Sequence, residues 1–119
     1  MPTESINLFI ERCKTLNMLS MIDMIAVDEP LDVLHPLRTP PDICVIHRGR
    51  DEESTQGKVI QYRQVNRIRS KFNTFISAAG GVDLRETRSA IFNGANIVVA
   101  HLVYPDDHWT GIKITDNIA

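Results

Sequence analysis

Three places in this chain put polar or glycine residues directly behind a short apolar run. They are His47-Arg48-Gly49-Arg50-Asp51 after Ile43–Ile46, Gly80-Gly81 after Phe75–Ala79, and His101 near the end of Ile97–Val103. The chemistry most directly on offer is anion binding. Paired glycines let the backbone turn tightly and bring bare N–H groups within reach of a ligand. Asp83 follows at the expected N-cap of the next helix, with Glu86 three residues on as in a capping box. A strand, a glycine turn and a helix N-terminus in that order can face an anion with donors and a positive dipole. The same turn also serves plain strand-to-helix geometry, and both readings stand at this level. A fourth candidate is Asp23, a carboxylate inside the apolar stretch Leu19–Val27. Alternation places it on one face with Met21, Ile25 and Val27, where it needs either a structural hydrogen bond or a wet cavity.

The elements that would position these groups alternate regularly. Ser5 to Asn17 carries Ile6, Phe9, Ile10, Cys13 and Leu16 at helical spacing. Leu19–Val27 reads as a buried strand, and Asp28-Glu29-Pro30 opens a short helix with Leu31, Leu34 and Leu37, stopped by Pro36, Pro40 and Pro41. Asp42–His47 is the second strand. A third helix spans Lys58 to Phe72, with Tyr62, Val65, Ile68 and Phe72 on one side. Phe75–Ala79 is the third strand, Leu84–Asn93 the fourth helix, closed by Gly94, and Ile97–Val103 the fourth strand. Tyr104–Ala119 shows no period and is expected to be irregular, with Thr115-Asp116 resembling an N-cap. Alternation of this kind predicts an α/β fold with a parallel sheet, whose ligands gather at the C-terminal ends of the strands. Asp28, the His47 cluster, the paired glycines and His101 all fall there.

Composition narrows the class. The 119 residues are 43% apolar with a net charge of −2, enough for one cored domain and too acidic for a global nucleic-acid or membrane-surface field. Lys58, Arg63, Arg67, Arg69 and Lys71 crowd the third helix, and a solvated outer face is the expectation over a nucleic-acid patch. Cys13 and Cys44 have no metal spacing and are expected as reduced core thiols. With charges at Glu4 and Glu11 and no apolar run near the ~20 residues of a membrane span, a cytoplasmic protein without a signal peptide is expected.

Several motifs carry a family likeness. D-I-C-V-I-H-R-G-R-D-E-E, then F-I-S-A-A-G-G-V, then N-G-A-N-I-V-V resembles 3-hexulose-6-phosphate synthase and, with it, the orotidine-5′-phosphate decarboxylase superfamily that includes 3-keto-L-gulonate-6-phosphate decarboxylase. Met21–Pro30 is similar to that family's V-D-L-I-G-V-x-D-P segment on the fifth barrel strand. The likeness runs from about Ile6 to Val103 and covers the C-terminal half of a (β/α)8 barrel. It implies a lyase of the ribulose monophosphate pathway, or a domain binding a phosphorylated sugar such as ribulose 5-phosphate.

By that resemblance His47 and Arg50 stand where the family handles protons near the intermediate. Gly80 and Gly81 stand where backbone N–H groups hold substrate phosphate. Outside the resemblance, Asp23, Asp28 and Asp51 are candidate carboxylates, and no pattern singles one out. The family's second phosphate segment reads Gly-Gly or Gly-Arg; here Ala100-His101-Leu102 stands there, with His101 as a candidate phosphate donor. The resemblance also implies Mg2+, held in the synthases by carboxylates of the N-terminal half, whose Asp-x-Lys-x-x-Asp has no match in this chain. The expectation is therefore a single (βα)4 half-barrel domain over residues 1–119, of the ribulose-phosphate-binding-barrel kind. A half-barrel has two unpaired edges and one face made to line a closed core. A homodimer closing the barrel is favoured; the alternatives are a complementary N-terminal half, a non-catalytic regulatory subunit, or a fragment of a longer chain. Its partners are expected to be a phosphorylated sugar and no nucleic acid or membrane.

Overall fold

The computed structural model describes residues 2–49, 59–60, 62–80, 83–109 and 111–116. In chain order the elements are α1 Thr3–Thr15, β1 Met21–Asp23, α2 Pro30–Leu34, β2 Ile43–Gly49, β3 Val59–Ile60, α3 Tyr62–Lys71, β4 Phe75–Ala79, α4 Leu84–Phe92, β5 Ile97–Val98, β6 Leu102–Val103 and β7 Ile112–Lys113. The main sheet runs β1-β2-β4-β5, all parallel and in sequence order, with β3 antiparallel to β2. This is an α/β fold.

Register decides which side chains share a face. Asp23 pairs with Val45, Val45 with Ser77, and Ser77 with Ile97. In parallel strands paired residues point the same way, so this row lies on one face and Ile22, Cys44, Ile46, Ile76 and Ala78 on the other. That second set is buried in a single core with Ile6 and Ile10 of α1, Leu31 and Leu34 of α2, Val65 and Ile68 of α3, and Ala90 of α4. Each fully buried Ile or Leu contributes roughly 1.5–3 kcal/mol of transfer free energy. Among the described residues the helices α1–α4 therefore cover one face; on the other Met21, Phe75, Ile97 and Val99 stay exposed, while Val45, Ser77 and Ala79 are buried. A sheet wound in sequence order with helices on one side is consistent with half of a TIM-type barrel, and differs from a doubly wound sheet, which carries helices on both faces.

The register is set at the N-terminal ends of the strands. Asp42 Oδ2 accepts from Ser20 N at 2.8 Å and from Ser20 Oγ at 3.1 Å, while Ser20 Oγ accepts from Asp42 N at 3.0 Å. Thr74 Oγ1 donates to Pro41 O at 2.8 Å and ties β4 to the same end. Asp83 caps α4 as expected, accepting from Glu86 N at 2.8 Å, and Gly94 follows the helix at φ +109°.

Several boundaries differ from the sequence reading, each for a local reason. β1 is three residues long, because Asp23 Oδ1 accepts from Ile25 N at 2.9 Å and Ala26 takes φ +60°; this side-chain turn ends the strand before Val27. On α1, Ile6, Ile10 and Cys13 are buried but Phe9 and Leu16 are exposed, so the buried stripe is narrower than the spacing suggests. α3 starts at Tyr62, since Val59–Ile60 pairs with Arg48–Gly49 and makes the sheet mixed. The fourth strand is split: Val99 N makes a last bond to Ala78 O at 2.8 Å, and Leu102–Val103 then pairs in parallel with Ile112–Lys113. Gly111 permits this pairing, because a Cβ there would lie 2.6 Å from the His101 carbonyl oxygen.

The segment after Tyr104 is thus ordered by turns and a strand where no regular structure was expected. Lys113 Nζ donates to Asp107 O at 2.9 Å and to Tyr104 O at 3.3 Å. Asp116 accepts from Lys113 N at 2.8 Å, which closes a turn behind β7 in place of an N-cap. No helix among the described residues is long and apolar enough to cross a membrane.

Candidate functional site

The parallel pairing of β1 and β2 carries the site. Asp23 is the last residue of β1 and pairs with Val45; His47 lies two residues further along β2 on the same face. Its ring reaches back across the pair, with Nε2 2.8 Å from Asp23 Oδ1 and 3.0 Å from Oδ2. The carboxylate is held by its own turn to Ile25 N. An ionised carboxylate only accepts, so Nε2 carries the proton and Nδ1 is the ring atom left to exchange one. The pair is open to solvent on the uncovered face, the Asp23 side chain about half exposed and that of His47 about a quarter.

Directly beside it, His47 pairs with Ala79, the last residue of β4, and Gly80 comes next at φ +114°. A side chain would be strained in that conformation, so the turn needs glycine. Ser77, the one polar residue of β4, is buried on the same face in the Asp23 row. Sequence reasoning passed over it, although alternation through F-I-S-A-A puts Ser77 with Ala79.

Beneath the pair, Cys44 points into the core. Burial, and then the Asp23 charge, push its thiol up to about 12. The folded value lies above the ordinary one of 9.0. The resulting stability is therefore full below pH 9 and is lost as pH rises toward 12, at about 1.4 kcal/mol per unit. Urea titrations from pH 8 to pH 11 are expected to show a steeper fall for the native chain than for Cys44→Ala. A thiol reagent at pH 8 is expected to leave Cys44 unmodified until the chain unfolds.

His101 is exposed, and its carbonyl accepts from Ile112 N at 2.7 Å, so the structure ties it to the β6–β7 unit; the expected place at the end of a fourth sheet strand is corrected by the early end of β5. Arg50, Asp51 and Gly81 lie outside the described residues. Among the described residues no three His, Cys, Asp or Glu side chains gather to hold a metal ion, so these residues do not fit the Mg2+ that the resemblance implies. The basic helix is in part structural. Arg67 Nη1 pairs with Glu29 at 3.0 Å, and Arg69 donates to Gly94 O, Thr74 O and Asn96 Oδ1. Cys13 and Cys44 are free and buried.

Fold and pair together define an α/β protein with a histidine–carboxylate couple on the open face of its sheet, at the C-terminal strand ends. The chain is similar to proteins named bifunctional enzyme Fae/Hps. It is 30% identical over 98 residues to that of Methanothrix thermoacetophila, covering 82% of this chain and 24% of the relative. It is 31% identical over 103 residues to that of Methanosphaera stadtmanae, covering 82% and 25%, and 29% identical over 101 residues to that of Archaeoglobus fulgidus, again 82% and 25%. The chain thus spans about a quarter of the length of the curated relatives it matches. No protein-family model matches it, and no solved structure matches it significantly.

Proposed function

We propose that this chain is the proton-transferring, phosphosugar-binding half of a 3-hexulose-6-phosphate synthase-like aldehyde lyase, acting on a ketose phosphate such as ribulose 5-phosphate. The observation that carries the proposal is the His47–Asp23 pair at the ends of two adjacent parallel strands, beside the Gly80 turn. The Hps in the relatives' name agrees with the motif resemblance and supports it further.

In the reaction a proton leaves C1 of the ketose phosphate, next to the C2 carbonyl, and C1 then bonds to the formaldehyde carbon. The formaldehyde oxygen takes a proton to become the new hydroxyl; no group leaves, and the reverse reaction retraces the steps. His47 Nδ1 accepts and returns the proton while Asp23 steadies the imidazolium. Gly80, with Gly81, offers backbone N–H groups to the phosphate; by the resemblance Arg50 joins His47 in handling protons. His101 remains a candidate phosphate donor by the resemblance alone.

A second reading is a non-catalytic sugar-phosphate-binding or regulatory subunit. Calorimetric titration with ribulose 5-phosphate, alongside formaldehyde consumption in added Mg2+, separates the two. The proposal expects binding in the ordinary substrate range, roughly 1 μM to 1 mM, together with turnover. Binding without turnover selects the second reading, and no heat at millimolar ligand contradicts both.

A further inference from the structure

We propose that the uncovered sheet face is closed by a second copy of this chain, two sheets forming one ring around the His47–Asp23 pairs. The inference rests on the half-barrel reading above and names its partner. Among the described residues β1 and β5 end the parallel path β1-β2-β4-β5 and run parallel, with β3 antiparallel to β2 off that path. A two-fold axis along the strands sets β5 of each copy beside β1 of the other without reversing either, so one operation satisfies both edges. Any other single partner must present two matching edges and a matching apolar face of its own.

Charge and area fit a copy as well. Along the strands of that face, among the described residues, the ionisable side chains are Asp23 and His47, already paired with each other, so two such faces meet without like-charge repulsion. Met21, Phe75, Ile97 and Val99 there are 52%, 56%, 39% and 53% exposed. By ordinary side-chain areas that is about 400 Å2 of apolar surface per copy, against roughly 800 Å2 per partner in a stable interface. Pairing of the two strand edges would add to it; Val45, Ser77 and Ala79 on the same face are already buried. Asp23 lies on an edge strand, beside which β5 of the second copy would pack.

The test is the mass of the full chain in solution, by sedimentation equilibrium without ligand. The expected mass is twice 13.4 kDa. Phe75→Glu and Met21→Glu, both at exposed positions, should weaken association by roughly 100-fold or more with circular dichroism unchanged. Leu8→Glu, exposed on the far side of α1, should leave the mass as it was. If either open-face variant misfolds, hydrogen exchange of the unaltered chain gives a second readout: amides of β1 and β5 should gain protection as concentration rises. A monomer at 100 μM, a dimer indifferent to both open-face charges, or edge amides unprotected in the dimer would overturn the inference. A monomer that still binds ribulose 5-phosphate leaves the proposed function standing. A dimer that does not bind it removes the function and keeps the interface.

Discussion

Replacing His47 by alanine is expected to slow exchange of the C1 hydrogen of ribulose 5-phosphate for solvent deuterium by about 10²- to 10⁴-fold, the usual worth of one general acid–base group. The exchange needs no formaldehyde and reports the first proton transfer by itself, which proton NMR follows directly. Asp23→Asn should do less harm, roughly tenfold. The amide oxygen can still accept from Nε2, but the negative charge that steadies the imidazolium is gone. Both side chains are partly exposed on the open face, so neither substitution opens a cavity and the fold should persist. Equal exchange rates in the native chain and in His47→Ala would remove the histidine from the chemistry.

The largest effect on stability is expected from Arg69→Ala, at about 3 kcal/mol, or a loss of roughly 10 °C in Tm. The guanidinium spans three elements. Nε and Nη2 donate to Gly94 O behind α4 at 3.2 and 2.9 Å, Nη1 to Thr74 O ahead of β4 at 3.1 Å, and Nη2 also to Asn96 Oδ1. Asn96 in turn accepts from Ile76 N at 3.1 Å. Removing the fork leaves partly buried carbonyls without donors. Arg69→Lys should recover little, because one ammonium cannot reach all three acceptors. Arg63→Ala, exposed on the same helix, should change stability by less than about 0.5 kcal/mol. Urea unfolding of the three variants checks the ordering.

Arg69 also marks a limit of sequence reading. Arg63, Arg67, Arg69 and Lys71 on one helix look like a solvated face, and nothing local separates Arg63 from Arg69; only the packing of α3 beside the end of α4 does. The α/β alternation, the Asp83 cap and the Phe75–Ala79 strand were legible because periodicity and capping are encoded within a few residues. The ends of the first and last sheet strands were not. Leu19–Val27 and Ile97–Val103 are apolar throughout, but a side-chain turn at Asp23 and a tertiary approach at Gly111 shorten them. His101 was misplaced for that reason. Of the site, His47 and Asp23 were each singled out from the chain, yet their pairing depends on the register of β1 against β2, which the Ser20–Asp42 bonds set from the opposite end. Ser77 was missed because a lone serine in a strand carries no chemical signature.

The central claim is that a sugar phosphate is handled on the open face, between Asp23, His47 and Gly80. An amide and imidazole NMR titration with ribulose 5-phosphate tests it most directly. Saturable shifts at Asp23, His47, Ala79 and Gly80, with the α1 amides unmoved, are the result expected. Shifts confined to the helical side or to the β6–β7 unit, with His47 unchanged at saturation, would contradict it.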